Sequence, residues 1–177
     1  MARRGRRLRG GPGVRPTEGR VREALVNIWR PRLDGARVLD LFAGTGAVGL
    51  ALLDAGAASA LLVDRTAAVV ASLRERASGR GGEVRIRRLD LPAGLARLAP
   101  AHFDLIFADP PYAFESYGEL LAAAAPLAAA DARLAVEHRS SRDVEAVGGW
   151  LAVDRRRYGD CALSFFERVT EHSAPPH

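Results

Sequence analysis

The stretch from Arg37 to Leu50, RVLDLFAGTGAVGL, constrains the fold of this chain more than any other. RVLDL (37–41) reads as a buried strand, and the residues from Gly46 to Ala55 read as a helix. Between them Gly44, Gly46 and Gly49 carry the spacing G-x-G-x-x-G. Glycines at that spacing permit a tight turn and let backbone approach a ligand closely at a helix N-terminus. An aspartate, Asp64, follows twenty residues after the first glycine, where such turns keep an acid for a ribose.

Strand and helix patterns alternate on either side of this unit. Ahead of it, Val21, Leu25 and Ile28, with Ala24 beside them, form an apolar stripe. The helix they predict is capped by Thr17 and stopped by Pro31. After it come SALLVD (59–64) as a strand, a helix from Thr66 to about Ser78, and EVRIRRL (83–89) as a strand. Pro92 opens a short helix, FDLIFAD (103–109) is a strand, a helix lies around Glu119–Ala125, and RLAVEH (133–138) is a strand. WLAVDRRRY (150–158) and ALSFFERV (162–169) close the chain as a hairpin turning at Gly159–Asp160. The pattern predicts an α/β fold with a doubly wound, mostly parallel sheet of seven strands, one antiparallel strand belonging to the hairpin. Residues 1–16 form a basic arm, 17–170 a single domain whose N-terminal helix is 17–30, and 171–177 a frayed tail.

Ligands of such sheets collect at the C-terminal strand ends. Asp40, Asp64, Asp90 and Asp109 all fall at or just beyond such an end. The glycine turn by itself fits a dinucleotide or a close strand–helix contact equally well; Asp40 separates the ligands. A carboxylate within about 5 Å of a diphosphate repels it by several kcal/mol at an effective dielectric near 20. A cationic ligand is favoured there instead. S-adenosylmethionine, with a sulfonium, an ammonium and no phosphate, has that chemistry. Asp64 then takes the ribose hydroxyls, and Asp90 in LDLPAGL meets the adenine amino group.

FDLIFADPPY supplies the reaction. Two prolines after an acid force the chain out of the sheet in a fixed loop. Asp109 and the Pro110 carbonyl become two acceptors, Pro111 stiffens the loop and Tyr112 offers a flat face. The exocyclic amine of a nucleobase is a poor nucleophile because its lone pair is delocalised into the ring. Two acceptors on its N–H groups favour a pyramidal nitrogen, and Tyr112 can stack on a base extruded from its neighbours.

VLDLFAGTGAVGL, LLVDR and FDLIFADPPY resemble the motifs of class I S-adenosylmethionine-dependent methyltransferases acting on amino nitrogens. With RPTEGRVREALVNIW ahead of them and VEH in the fifth strand, the chain resembles the narrower RsmD-type family from about Arg7 to Arg168. Those enzymes methylate N2 of the guanine at position 966 of bacterial 16S ribosomal RNA. The resemblance implies a Rossmann-like fold, with S-adenosyl-L-methionine as cofactor and 16S RNA or a 30S particle as partner. It implies cofactor contacts from Asp40, Phe42, Ala43, Gly44, Gly46, Asp64, Arg65, Asp90, Leu91 and Thr17, and a catalytic loop of Asp109, Pro110, Pro111 and Tyr112. Two departures fall in the substrate arm. A strand-forming stretch that usually precedes the G-R-x-L segment is largely lacking, and Glu18–Gly19 stand where the family often has Thr-Asp.

The charge distribution agrees with an anionic partner. All 26 basic residues are arginine, and nine of them lie in residues 1–30 against only Glu18 and Glu23. The other 17 face 19 acids, so the net charge of +5 comes wholly from the N-terminal segment. Arg4, Arg6, Arg7, Arg9, Arg15, Arg20 and Arg22 are expected to contact RNA. A lone cysteine, Cys161, rules out an internal disulfide and reads as a small buried hydrophobe. His102, His138, His172 and His177 are scattered, so no metal is expected; His138 reads as a structural residue near the site. No membrane span and no signal-peptide core is apparent, and a cytoplasmic monomer is the expectation. The rival readings are an amino methyltransferase for adenine N6 or a glutamine side chain, a NAD-dependent oxidoreductase, and an inactive RNA-binding assembly factor.

Overall fold

The computed structural model describes residues 16–99 and 102–169, with side chains from residue 19 onward. The arginines at 4, 6, 7, 9 and 15, the expected tail, and the side chain of Thr17 lie outside the described residues.

The first helix, α1, runs Pro16–Trp29. It begins two residues earlier than a Thr17 cap would require: Pro16 opens it, which suits a residue with fixed φ and no N–H to satisfy, and Thr17 lies inside the first turn. Its buried residues are Val21, Leu25 and Trp29, four apart, while Ala24 and Ile28 are only half-buried. The stripe therefore ends on an indole that the sequence pattern left out. Pro31 sits in the 3₁₀ turn Arg30–Arg32 that ends the helix.

Among the described residues seven strands follow, interleaved with helices: β1 Arg37–Leu41, α2 Ala47–Asp54, β2 Ser59–Asp64, α3 Ala67–Ala77, β3 Glu83–Arg88, β4 Phe103–Ala108, α4 Tyr117–Ala124, β5 Ala128–Arg139, β6 Trp150–Tyr158 and β7 Cys161–Arg168. They form one sheet in the order β3-β2-β1-β4-β5-β7-β6. The first five strands are parallel, and β7 lies antiparallel between β5 and β6. Strand order reverses between β1 and β4, and the crevice at their C-terminal ends is where a doubly wound sheet takes its ligand.

Both faces of the sheet are covered. Val38, Leu105, Phe107, Ala135 and Leu163 join the cluster under α1, α2 and α3. Leu39, Leu41, Ile106, Leu134 and Val136 join the opposite cluster with α4. The two sets alternate along each strand, so every central strand is apolar on both sides. β5 starts five residues before the segment that the sequence marked. Its first half, AAADA, has little strand propensity, and the pairing of Ala128 with Phe103, followed by a register shift, draws it into the sheet. Among the described residues no helix is long and apolar enough to cross a membrane.

Candidate active site

The turn after β1 is fixed by a dense set of backbone bonds. Asp109 N–H donates to Leu41 O at 3.3 Å, Ala43 N–H to Val63 O at 2.9 Å and Gly46 N–H to Ala43 O at 2.7 Å. Phe42 takes a positive φ of 60° at the start of the turn, a conformation costing about 1–3 kcal/mol that only such a framework maintains. Gly46, at φ +73°, opens α2, and a Cβ there would lie 2.6 Å from Leu73 Cδ2. Gly49 serves a different purpose. A Cβ at that position would lie 2.3 Å from Leu62 Cδ2 and 2.8 Å from Asp40 Oδ2. The third glycine thus makes room for the acid of the first strand.

Asp40 is 2% exposed and does not open onto the crevice. Strand alternation places it on the same face as Val38, beneath α2, where Oδ2 accepts the Gly49 N–H at 2.8 Å. Burial pushes its carboxyl up to about 7; the Gly49 bond opposes the shift and the Asp64 carboxylate adds to it. The preference for a cation drawn from the sequence supposes a side chain that projects toward the ligand. Here it braces the turn from behind, and a cation in the crevice would feel its charge across that turn. Asp64, half-buried at the end of β2, fastens the turn from the front: Oδ2 accepts Gly44 N–H at 3.1 Å and Oδ1 accepts Thr66 N–H at 2.8 Å.

In front of this turn lies a cavity of about 290 Å³ lined by Phe42, Asp64, Arg65, Thr66, Leu89, Asp90, Leu91, Asp109, Pro111 and Phe114. It brings together Phe42, Asp64, Arg65, Asp90 and Leu91 of the expected cofactor residues. Ala43, Gly44 and Gly46 belong to the supporting turn and not to this lining. Three carboxylates, aromatic walls and one guanidinium suit an adenosine-like ligand with hydroxyls and an exocyclic amine. Phe114 was not foreseen. Its ring packs edge-on against Phe42 at 5.3 Å and against Tyr117 at 5.2 Å. Within the DPPY loop region the backbone turns back, Phe114 N–H donating to Pro111 O at 2.8 Å.

A second cavity, of about 500 Å³, opens on the other side of that loop. Asp109, Pro110, Pro111 and Tyr112 line it together with Tyr117, Glu137, His138, Arg139, Gly159, Asp160 and Cys161. Asp109 and Pro111 thus face both cavities and form the wall between them. Tyr112 is 54% exposed, and the Arg139 guanidinium lies over its ring at 4.8 Å from the centroid. The bare edge of Tyr112 and the cavity beside it leave room for a flat guest.

His138 is held as a structural residue. Its Nδ1–H donates to Arg139 O at 2.8 Å and its Nε2 accepts from Ser164 Oγ at 2.8 Å, and burial lowers its pKa, so the ring is neutral. The Cys161 thiol donates to Tyr158 O at 3.3 Å. Burial pushes it up to about 12, with the neighbouring Glu137 carboxylate adding to the shift. It is a buried thiol with little thiolate character. On α1, Arg20 is exposed and Arg22 half-buried, both off the apolar stripe. The second cavity draws its far wall from the ends of β5 and β7, which are remote in sequence from the DPPY loop. The available signal was that Glu137, like Asp40, Asp64 and Asp109, is an acid near the C-terminal end of a parallel strand.

The profile of the family described as conserved hypothetical protein 95 matches residues 2–167. Ribosomal RNA small subunit methyltransferase D of Escherichia coli K12 is 39% identical over 112 residues, covering 62% of this chain and 56% of that protein. The match spans little more than half of that relative's length. A candidate rRNA methyltransferase of Bacillus subtilis, YlbH, is 27% identical over 176 residues, covering 94% of this chain and 96% of its own. Among solved structures, a candidate methyltransferase of E. coli, yhhF, superposes with a TM-score of 0.76 at 30% identity, over 90% of each chain. Magnesium protoporphyrin IX methyltransferase from Synechocystis, solved with S-adenosylmethionine bound, superposes at 0.67 with 17% identity over 90% of this chain and 86% of that one, a likeness of fold.

Proposed function

This chain belongs to the family described as conserved hypothetical protein 95, and on that premise we propose that it is an S-adenosylmethionine-dependent methyltransferase acting on N2 of a guanine in small-subunit ribosomal RNA. The observation that carries this reading is the shared wall: Asp109 and Pro111 face the cavity beside the glycine turn and also the larger cavity beyond. A group can pass between two ligands only where two pockets meet, and here they meet at the residues suited to hold an amine. The E. coli relative named for small-subunit ribosomal RNA supplies the substrate class.

The first cavity has the donor set that the cofactor needs. Asp64 and Asp90 provide acceptors for hydroxyls and an adenine amine, and Phe42, Leu91 and Phe114 provide apolar walls. When bound, S-adenosylmethionine supplies an electrophilic methyl on a sulfonium, its C–S bond breaking as the N–C bond of the amine forms. Asp109 accepts one N–H of the amine, orients the nitrogen lone pair toward the first cavity and takes up or relays the proton lost after transfer. Tyr112 stacks on the extruded base, and Arg139 beside it steadies the ring. The N-terminal arginines neutralise phosphates around the target and make binding steeply salt-dependent.

The test is methyl transfer from labelled S-adenosylmethionine to 16S RNA and to 30S particles from cells lacking this methylation, with the modified base mapped by mass spectrometry. Label on guanine N2 is the expected result. Label on an adenine, or none on either substrate, overturns the assignment.

A further inference from the structure

Ala108 pairs with Val136 in the parallel register of β4 and β5. The next residues, Asp109 and Glu137, therefore stand side by side where the two strands reach the rim, about 4.8 Å apart along the sheet. Phe107 and Ala135, two residues back on each strand, share one face, so alternation directs both carboxylates to that face. Both line the second cavity. Cys161, which lines it too, feels both groups: Glu137 and Asp109 each hold its proton on. The loop expected to present one carboxylate to the amine thus belongs to a pair.

We propose that Glu137 is the residue that selects guanine, accepting the N1–H of the base while Asp109 accepts an N–H of its 2-amino group. The proposal rests on the guanine-N2 reading above and deepens it. The Watson–Crick edge of guanine carries two adjacent donors, N1–H and N2–H. Two adjacent carboxylates match that edge. Adenine offers an amine beside a bare N1 lone pair, and cytosine an amine beside a bare N3 lone pair. Either base would set a lone pair against the Glu137 carboxylate, an acceptor facing an acceptor, and mismatches of that kind give strong discrimination in binding sites. The Cys161 thiol lies against the Glu137 carboxylate, and a carboxylate offers about four lone-pair positions to donors. Asp109 alone cannot make this distinction, because every candidate amine presents the same N–H groups to it.

The experiment replaces the target guanine by 2-aminopurine in an otherwise identical RNA. This base keeps the 2-amino group, carries a lone pair at N1 in place of N1–H and also lacks the 6-oxo group. That second loss is the same for wild type and variant, so a change of preference between the two enzymes reports on N1. The wild-type enzyme should methylate guanine with kcat/KM roughly 100-fold or more above 2-aminopurine. Glu137→Gln, whose amide can donate to the bare nitrogen, should erase or invert that preference while S-adenosylhomocysteine binds as before. Equal use of both bases by the wild-type enzyme overturns the proposal, as does a folded Glu137→Gln variant that keeps the full preference. The comparison of bases on the wild-type enzyme needs no variant, so a misfolded variant does not shelter the idea. Absence of transfer even to the guanine RNA would instead overturn the guanine-N2 reading itself, and with it this one.

Discussion

Replacing Asp40 by Asn should change how the stability of the protein depends on pH, and the sign can be worked from the fold. Asp40 is fully enclosed beneath α2, and burial raises its carboxyl from an ordinary 3.8 to about 7. Between those values the folded chain holds one proton more than the unfolded chain, so the wild-type protein loses stability as pH rises. The contribution is fully present below pH 4 and lost as pH passes through 7. About three pKa units at 1.36 kcal/mol each give up to about 4 kcal/mol over the interval. Asparagine keeps an oxygen to accept the Gly49 N–H and has no charge to desolvate. The expected result is that Asp40→Asn gains on the wild type as pH rises from 4 to 8, reaching a few kcal/mol in urea unfolding measured at each pH. A difference that stays flat across that range would refute the reasoning. A bound cation should pull the Asp40 proton off, so binding of S-adenosylmethionine near pH 7 should release protons. Calorimetry in buffers of different ionisation enthalpy would detect them.

Gly49→Ala should be more damaging than a small residue change suggests, since its Cβ meets Leu62 and Asp40 at 2.3 and 2.8 Å; a loss of about 1–3 kcal/mol in thermal or urea unfolding is expected, with weakened cofactor binding. Asp109→Ala should lower methyl transfer by a factor on the order of 10²–10⁴, while RNA binding measured by filter retention persists. Tyr112→Ala should raise KM for RNA by an amount corresponding to about 1–3 kcal/mol of lost stacking, and Tyr112→Phe should restore it, with steady-state kinetics as the readout.

The alternation of strand and helix was legible in the sequence because each central strand is a short apolar run closed by an acid. The glycine turn was legible for the same reason: Gly46 and Gly49 sit where nothing larger fits. What escaped was direction. Asp40 ends a strand, but the two-residue period turns it under α2 rather than into the crevice, and only the packing of Val38 and Gly49 around it reveals which way it faces. The alanine-rich start of β5 carries no periodic signal, since alanine suits strand, helix and loop alike. The far wall of the second cavity was beyond local pattern altogether. Glu137, Arg139, Asp160 and Cys161 come together because β7 pairs backwards along β5.

That antiparallel insertion has a consequence for how the protein is made. Chain order and spatial order agree from β4 to β5 and then part: the strand emerging sixth waits at the outer edge for the seventh to slot in beside it. A ribosome that has released only the first 158 residues has completed every element around the glycine turn, yet β5 still shows a bare flank and β6 has no neighbour to pair with. The part of the molecule around the first cavity is thus finished first, and the part around the second is closed only when β7 slots in between β5 and β6.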